Sequence, residues 1–247
     1  MYLTTKGLVL RVTDYNDRDA LLTILTEKHG KLTVKARGLR RKNSPLIAPC
    51  QLLAYGEFTL FEYRGMYTVN EAASVELFQS LRRDLVKLSL GTYFAQAAEV
   101  LALEDLPNPE LLSLVLNCLH ALSKLREPVA KVKAVFELRS ACLSGYEPDL
   151  FGCHGCGDQN PGLFDISEGL LECVNCRNPE SSGIRMPVNP SVLEAMRYIC
   201  LCSPKKLFSF QVGDQTLELL SQVTESYLTT QLERGFSTLD FYKSLLI

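Results

Sequence analysis

The most specific chemistry in the sequence lies in four cysteines. Cys153-His154-Gly155-Cys156 is followed, after sixteen residues, by Cys173-Val174-Asn175-Cys176, which gives C-x2-C-x16-C-x2-C. This is the spacing of a four-thiolate zinc site. Two residues between cysteines let both sulfurs of a knuckle reach one ion, and a second knuckle completes the tetrahedron. Gly152, Gly155 and Gly157 suit the tight turns around it. Four thiolates leave no open coordination position, so the zinc would be structural rather than catalytic. The competing reading is two unrelated pairs of free thiols. A redox pair would need a βαβ context, and a deaminase would need H-x-E before P-C-x-x-C; neither is present. His154 reads as a solvated loop residue. Cys50, Cys118, Cys142, Cys200 and Cys202 show no ligand spacing and read as small packed hydrophobes.

The second constellation is electrostatic. Lys28, Lys31, Lys35, Arg37, Arg40, Arg41 and Lys42 fall within residues 28–42, which hold no acid. The chain as a whole carries −2, so a uniformly basic nucleic-acid binder is excluded while a locally basic one is not. Residues 1–80 contain eleven basic and eight acidic side chains, and the remainder is net acidic. Strand alternation sends Leu32, Val34 and Ala36 to one face and Lys31, Thr33, Lys35 and Arg37 to the other. The row runs on into Arg40, Arg41 and Lys42, where adjacent cations repel one another unless a polyanion is near. The bland alternative is a solvated polar face. Among the aromatics, Phe58 reads as core, and Tyr55 and Tyr63 are the better candidates for stacking on bases, with simple packing as the competing role.

No phosphate loop, dinucleotide fingerprint, nucleophile elbow or H-E-x-x-H helix occurs. The three histidines, His29, His120 and His154, offer few general bases. Catalysis is unsupported, and the expectation is a protein that is not an enzyme.

These groups need a frame. Apolar residues make up 47% of the 247, enough for a core, and no apolar run reaches membrane-spanning length. The first residues show no secretory pattern, so a cytoplasmic protein with reduced thiols is expected. Short alternating segments at Gly7–Thr13, Leu21–Glu27, Lys31–Arg37, Leu53–Phe61 and Met66–Ala72 predict five antiparallel strands, a small barrel of the OB type. After residue 77 the period turns helical. Helices are predicted at Leu111–Lys124, Val129–Leu143, Pro190–Leu201, Asp214–Leu232 and near Leu239–Leu246, with Pro109, Pro128 and Gly145 as punctuation. Residues 151–186 break that period. The expected fold is α+β and multidomain: an OB-fold barrel over 1–76, then a helical domain over 77–247 with a zinc module inserted at 151–186.

Gly7-Leu8-Val9-Leu10-Arg11, Asp14-Tyr15, the run Leu21 to Lys31 and Ala36-Arg37-Gly38-Leu39-Arg40-Arg41 resemble the start of the RecO family of bacterial recombination mediators. The cysteine quartet and the order of barrel and helices agree. The resemblance implies binding of single- and double-stranded DNA and annealing of complementary strands in recombination and the DNA damage response. It implies action with RecR, and in some lineages RecF, to place RecA on DNA coated by SSB, with a contact to the SSB C-terminal tail. It carries the basic role onto Lys35, Arg37, Arg40 and Arg41, with Lys42 adjacent, and zinc ligation onto Cys153, Cys156, Cys173 and Cys176. The chain departs from the family pattern at Asn16-Asp17, at Gln231 where a His is common, and at Phe236 where a basic residue is usual. Two other classes stay open: a zinc-ribbon scaffold that binds only protein, and a metal-dependent nuclease, which would need an open metal site.

Overall fold

The computed structural model describes residues 1–125, 127–177 and 183–246. The 178–182 part of the predicted insert lies outside the described residues. The chain divides into two units, Met1–Lys124 with Phe236–Ile247, and Leu125–Gly235.

The first unit opens with five strands: β1 (Tyr2–Asp14), β2 (Ala20–Thr26), β3 (Lys31–Ala36), β4 (Tyr55–Tyr63) and β5 (Met66–Glu76). They close in the order β1-β2-β3-β5-β4, with β1 paired to both β2 and β4, the OB arrangement. Only β3 and β5 run parallel, with Lys35 opposite Thr68. Alternation fills the interior with Leu22, Ile24, Leu32, Val34, Phe58 and Leu60, all buried. In β1, by contrast, Leu8, Val9 and Leu10 are buried in succession. The pairing steps from Val9–Ile24 to Arg11–Thr23, so Leu10 is a bulge residue. That bend lets one long strand serve both neighbours.

After β5 come a 3₁₀ turn, Leu81–Arg83, and helices α1 (Leu85–Leu101) and α2 (Pro109–Ser123). Asp84 and Asn108 cap them, accepting from the N–H groups of Lys87 and Leu111, and Pro109 sits where a missing N–H costs nothing. The terminal helix α6 (Ser237–Ser244) returns to α1. Phe236 is buried edge-on to Tyr93 with ring centroids 5.4 Å apart.

The second unit holds α3 (Val129–Leu143), α4 (Pro190–Leu201) and α5 (Asp214–Gln231). Between α3 and α4 lie four short strands the sequence did not suggest: β6 (Asp149–Cys153), β7 (Leu163–Asp165), β8 (Leu170–Glu172) and β9 (Arg185–Pro187), in the order β6-β8-β7-β9. Phe164, Ile166 and Leu171 are fully buried, and Phe164 packs on Tyr227 of α5. Lys133 and Glu137 of α3 are buried as well. The Lys133 ammonium reaches Glu137 at 3.0 Å and Glu225 of α5 at 2.8 Å. Among the described residues no helix is long and apolar enough to cross a membrane.

Candidate nucleic-acid interface and metal centre

The basic loop is fixed by its own apolar residues. Leu39, Leu46 and Cys50 dip into the barrel core, which turns Arg40, Arg41 and Lys42 outward. Gly38 starts the loop at φ +67°, a left-handed conformation that a Cβ disfavours. Its N–H donates to Asp19 Oδ1 at 2.8 Å, and Arg40 N–H donates to Arg18 O at 3.1 Å. The β1–β2 and β3–β4 loops therefore brace each other. The Gly38 N–H, the Asn16 amide and the Lys35 ammonium together hold the Asp19 carboxyl down at about 2.

The seven cations of residues 28–42 do not form one row. Lys28 lies in the β2–β3 turn, at the end of that hairpin opposite the loop. Lys31 turns to α1 and donates to Glu99 O at 2.9 Å. Lys35 pairs with Asp19 at 3.1 Å and lies over the Tyr15 ring. Arg40 reaches Asp14 at 2.8 Å, but both side chains are well exposed. Such a pair is held weakly and can exchange for a phosphate at little cost. Among the described residues, Lys28, Arg37, Arg41 and Lys42 are exposed and have no ion pair. Arg37, Arg40, Arg41 and Lys42 thus cluster at one end of the barrel. Arg18 joins them from the neighbouring loop; only the backbone pairing of the two loops shows this, so the linear charge run could not.

Beside Lys35 and Arg37 lies an open cleft of about 430 Å³ whose other walls include Tyr2, Phe61, Tyr63 and Met66. Phe58 is buried, whereas Tyr63 is 60% exposed. Tyr55 is half-buried at the opposite end of β4.

The cysteine quartet converges. Parallel pairing sets Cys153, at the end of β6, beside Leu171 of β8, so the two strands launch their knuckles side by side. All four sulfurs lie within 4.8 Å of one another, and Cys156 Sγ and Cys173 Sγ are 3.7 Å apart. A tetrahedral zinc with bonds of about 2.3 Å separates its sulfurs by about 3.8 Å. Gly155 is needed for the approach, since a Cβ there would come within 2.9 Å of Cys176 Cβ. Burial pushes the Cys153 thiol up, but N–H groups of Cys156, Cys173 and Gly155 outweigh it and bring it to about 6. Hydrogen bonding with the Cys156 and Cys153 sulfurs pushes Cys176 up to about 11. Four sulfurs this close ionise together only around a cation, so the donor set fits a divalent soft metal. His154 is exposed and outside the set.

The module is tied to its unit by polar contacts. Arg185 of β9 pairs with Asp165 of β7 at 3.2 Å and Glu172 of β8 at 2.6 Å. Gln231 Nε2 donates to Ile166 O at 2.9 Å and Ser167 O at 3.1 Å. Of the remaining cysteines, Cys50 and Cys118 are buried, and burial pushes the Cys50 thiol up to about 12. Cys142 and Cys200, 58 positions apart in the chain, place their sulfurs 3.6 Å from each other.

A five-stranded OB barrel, helices and a four-cysteine module define an OB-fold protein with an inserted cysteine cluster that could hold a metal ion. Residues 1–78 match the family described as Recombination protein O N terminal, and residues 82–240 match Recombination protein O C terminal. The chain belongs to the RecO family. It is 33% identical to a DNA repair protein RecO of Acetivibrio thermocellus over 250 residues, 99% of this chain and 97% of that one. It is 32% identical to one of Alkaliphilus metalliredigens, covering 99% of this chain and all of the relative. A third, from Bacillus subtilis, is 27% identical over 92% of this chain and 88% of its own length.

Proposed function

We propose that this chain is a non-enzymatic recombination mediator of DNA repair that grips polynucleotide phosphates with one end of its barrel. The observation that carries this is the clustering of Arg37, Arg40, Arg41 and Lys42 on a loop pinned by Leu39, Leu46 and Cys50. Lys35 sits at the rim of this surface, and Lys28 and Lys31 are reserve cations at the far end of the hairpin. Phosphate contacts carry no base information, so sequence preference is slight. Holding two strands on one cationic surface lowers their mutual repulsion and favours pairing, which is annealing without nucleotide hydrolysis.

Membership of the family extends the reading. The partners are RecR, in some lineages RecF, and the SSB C-terminal tail, and the outcome is RecA loading on SSB-coated DNA in the cytoplasm, at the nucleoid. Cys153, Cys156, Cys173 and Cys176 hold a structural zinc that stabilises the β6–β9 sheet.

The test is salt dependence. With four contacts to single-stranded DNA, log K falls against log salt with a slope of about −3, at about −0.7 per contact. Replacing Arg40, Arg41 and Lys42 with Ala weakens binding and flattens the slope to about −0.7. Unchanged binding in that variant would favour the protein-binding scaffold. Cleavage of labelled DNA in Mg²⁺ would favour a nuclease.

A further inference from the structure

The outer face of the barrel carries a row the charge pattern does not show. Strand register sets Tyr2 of β1 opposite Phe61 of β4, Phe61 opposite Thr68 of β5, and Thr68 opposite Lys35 of β3. The Tyr2 and Phe61 rings meet with centroids 5.2 Å apart. Two residues along the strands to one side of this row, on the same face, stand Tyr63 and its cross-strand partner Met66, and two residues to the other side stands Arg37, all lining one cleft. Tyr2, Tyr63 and Met66 are each about 60% exposed, and Phe61 is 39% exposed. A contiguous group of large apolar side chains on an otherwise polar barrel face calls for an occupant.

The geometry points to a nucleobase-stacking subsite: unpaired bases of a single strand seat on Phe61 and Tyr63 while its phosphates pass to Arg37 and the 40–42 loop. Charge selects this occupant. The cleft's charged walls are Arg37, which has no ion pair among the described residues, and Lys35, which Asp19 pairs at 3.1 Å, and the Arg64 guanidinium lies 5.2 Å from the centre of the Tyr63 ring. Flat rings beside cations are the combination that tracks single-stranded nucleic acid, since every base offers a π-face and every link a negative charge. A duplex keeps its base faces stacked internally and can use only the cations. A β-bulge at the same site supports the assignment. Pairing steps from Thr59–Glu71 to Leu60–Val69, leaving Asn70 unpaired and turned into the cleft, where its amide can meet a base edge. The subsite rests on the phosphate-binding reading and adds what that reading lacks, a means of preferring single strands.

The experiment compares full-length protein binding to oligo(dT), to an abasic oligonucleotide of equal length, and to duplex. The expected result is a preference for oligo(dT) over the abasic strand on the order of tenfold. In Phe61→Ala/Tyr63→Ala that preference vanishes, while duplex binding and the salt slope stay unchanged. The chain has no tryptophan, so Tyr63→Trp at this exposed position gives a single indole. Its emission should be quenched by oligo(dT) and not by the abasic strand. Equal wild-type binding of both strands with no quenching overturns the subsite and leaves phosphate binding standing. Binding to neither overturns both. Quenching that grows with protein concentration without DNA also overturns it, by showing that a second copy of the chain covers the patch.

Discussion

Lys35 Nζ lies 3.1 Å from Asp19 Oδ2, while Oδ1 of the same carboxylate accepts the Gly38 N–H at 2.8 Å. One side chain therefore both shapes the basic loop and neutralises the cation nearest to it. Asp19→Asn keeps the acceptor for Gly38 and removes the charge opposing Lys35. Tighter binding to single-stranded DNA is expected, with a salt slope steeper by up to about 0.7. Filter binding across a salt series reads both. An affinity equal to or below that of the wild type would place Lys35 outside the DNA path.

The same carboxylate sets an acid limit. Asp19 is held down at about 2 in the folded chain, below the ordinary carboxylate range. A depressed carboxyl stabilises the fold fully above its unfolded value of about 4, and that contribution is lost as pH falls through about 2. Acid unfolding followed by circular dichroism should show wild type and Asp19→Asn converging between about pH 4 and pH 2, and separated by a constant margin from pH 5 to 8. A margin that changes between pH 5 and 8 would assign the linkage to another group.

What could be read from the sequence was whatever is local. Val129–Leu143 and Pro190–Leu201 are bounded by Pro128, Gly145 and Pro190, whose backbone effects act within a residue or two, and the observed helices have those bounds. The quartet was legible because each knuckle spans four residues. Strands β7, β8 and β9 were not, since three residues show no period and gain their stability from Phe164, Ile166 and Leu171 packing within the second unit. The split of the seven cations depends on Asp14, Asp19 and the Glu99 carbonyl, all distant in the chain. The Tyr2–Phe61–Thr68–Lys35 row exists only through register across four strands, and Cys142 meets Cys200 only through packing.

Gln231 links the cysteine module to α5. Its amide supplies both hydrogens to the Ile166 and Ser167 carbonyls, holding the turn after β7 to α5. Gln231→Ala leaves two carbonyls without that donor, at a cost of about 1–3 kcal/mol. Hydrogen exchange should quicken across 163–172 and stay unchanged in the barrel. Gln231→His, with one ring N–H available, should fall between the two. Uniform exchange in all three proteins would show that the module is held by its metal and apolar contacts alone.

Removing one of the four proposed metal ligands tests the module from the other side. Cys173 donates its backbone N–H to Cys153 Sγ at 3.2 Å, so its peptide group as well as its sulfur belongs to the site. Cys173→Ser keeps the peptide and loses the thiolate. Loss of bound zinc by elemental analysis is expected, with faster exchange over 149–172 and a barrel that still binds oligo(dT). Native protein purified without zinc, yet fully protected in those residues, would remove the metal from the account.

The buried ion group on α3 gives the last prediction. Lys133 is 2% exposed and Glu137 fully buried, with Glu225 and the Ser221 carbonyl completing the ammonium's contacts. Burial drives the Glu137 carboxyl up to about 6, against the pull of Lys133. Between its ordinary range and that value the folded chain keeps a proton the unfolded chain releases, so this group makes stability fall as pH rises through about 4.5 to 6. Lys133→Met strips the opposing charge and strands a carboxylate in the interior, a loss of about 3–5 kcal/mol at neutral pH. The deficit should shrink in acid, where Glu137 takes up its proton, and Lys133→Met/Glu137→Leu should recover most of it. Denaturant midpoints at pH 5 and pH 8 separate these outcomes. A pH-independent deficit in Lys133→Met, unrelieved by the second substitution, would mean that packing rather than charge holds α3 to α5.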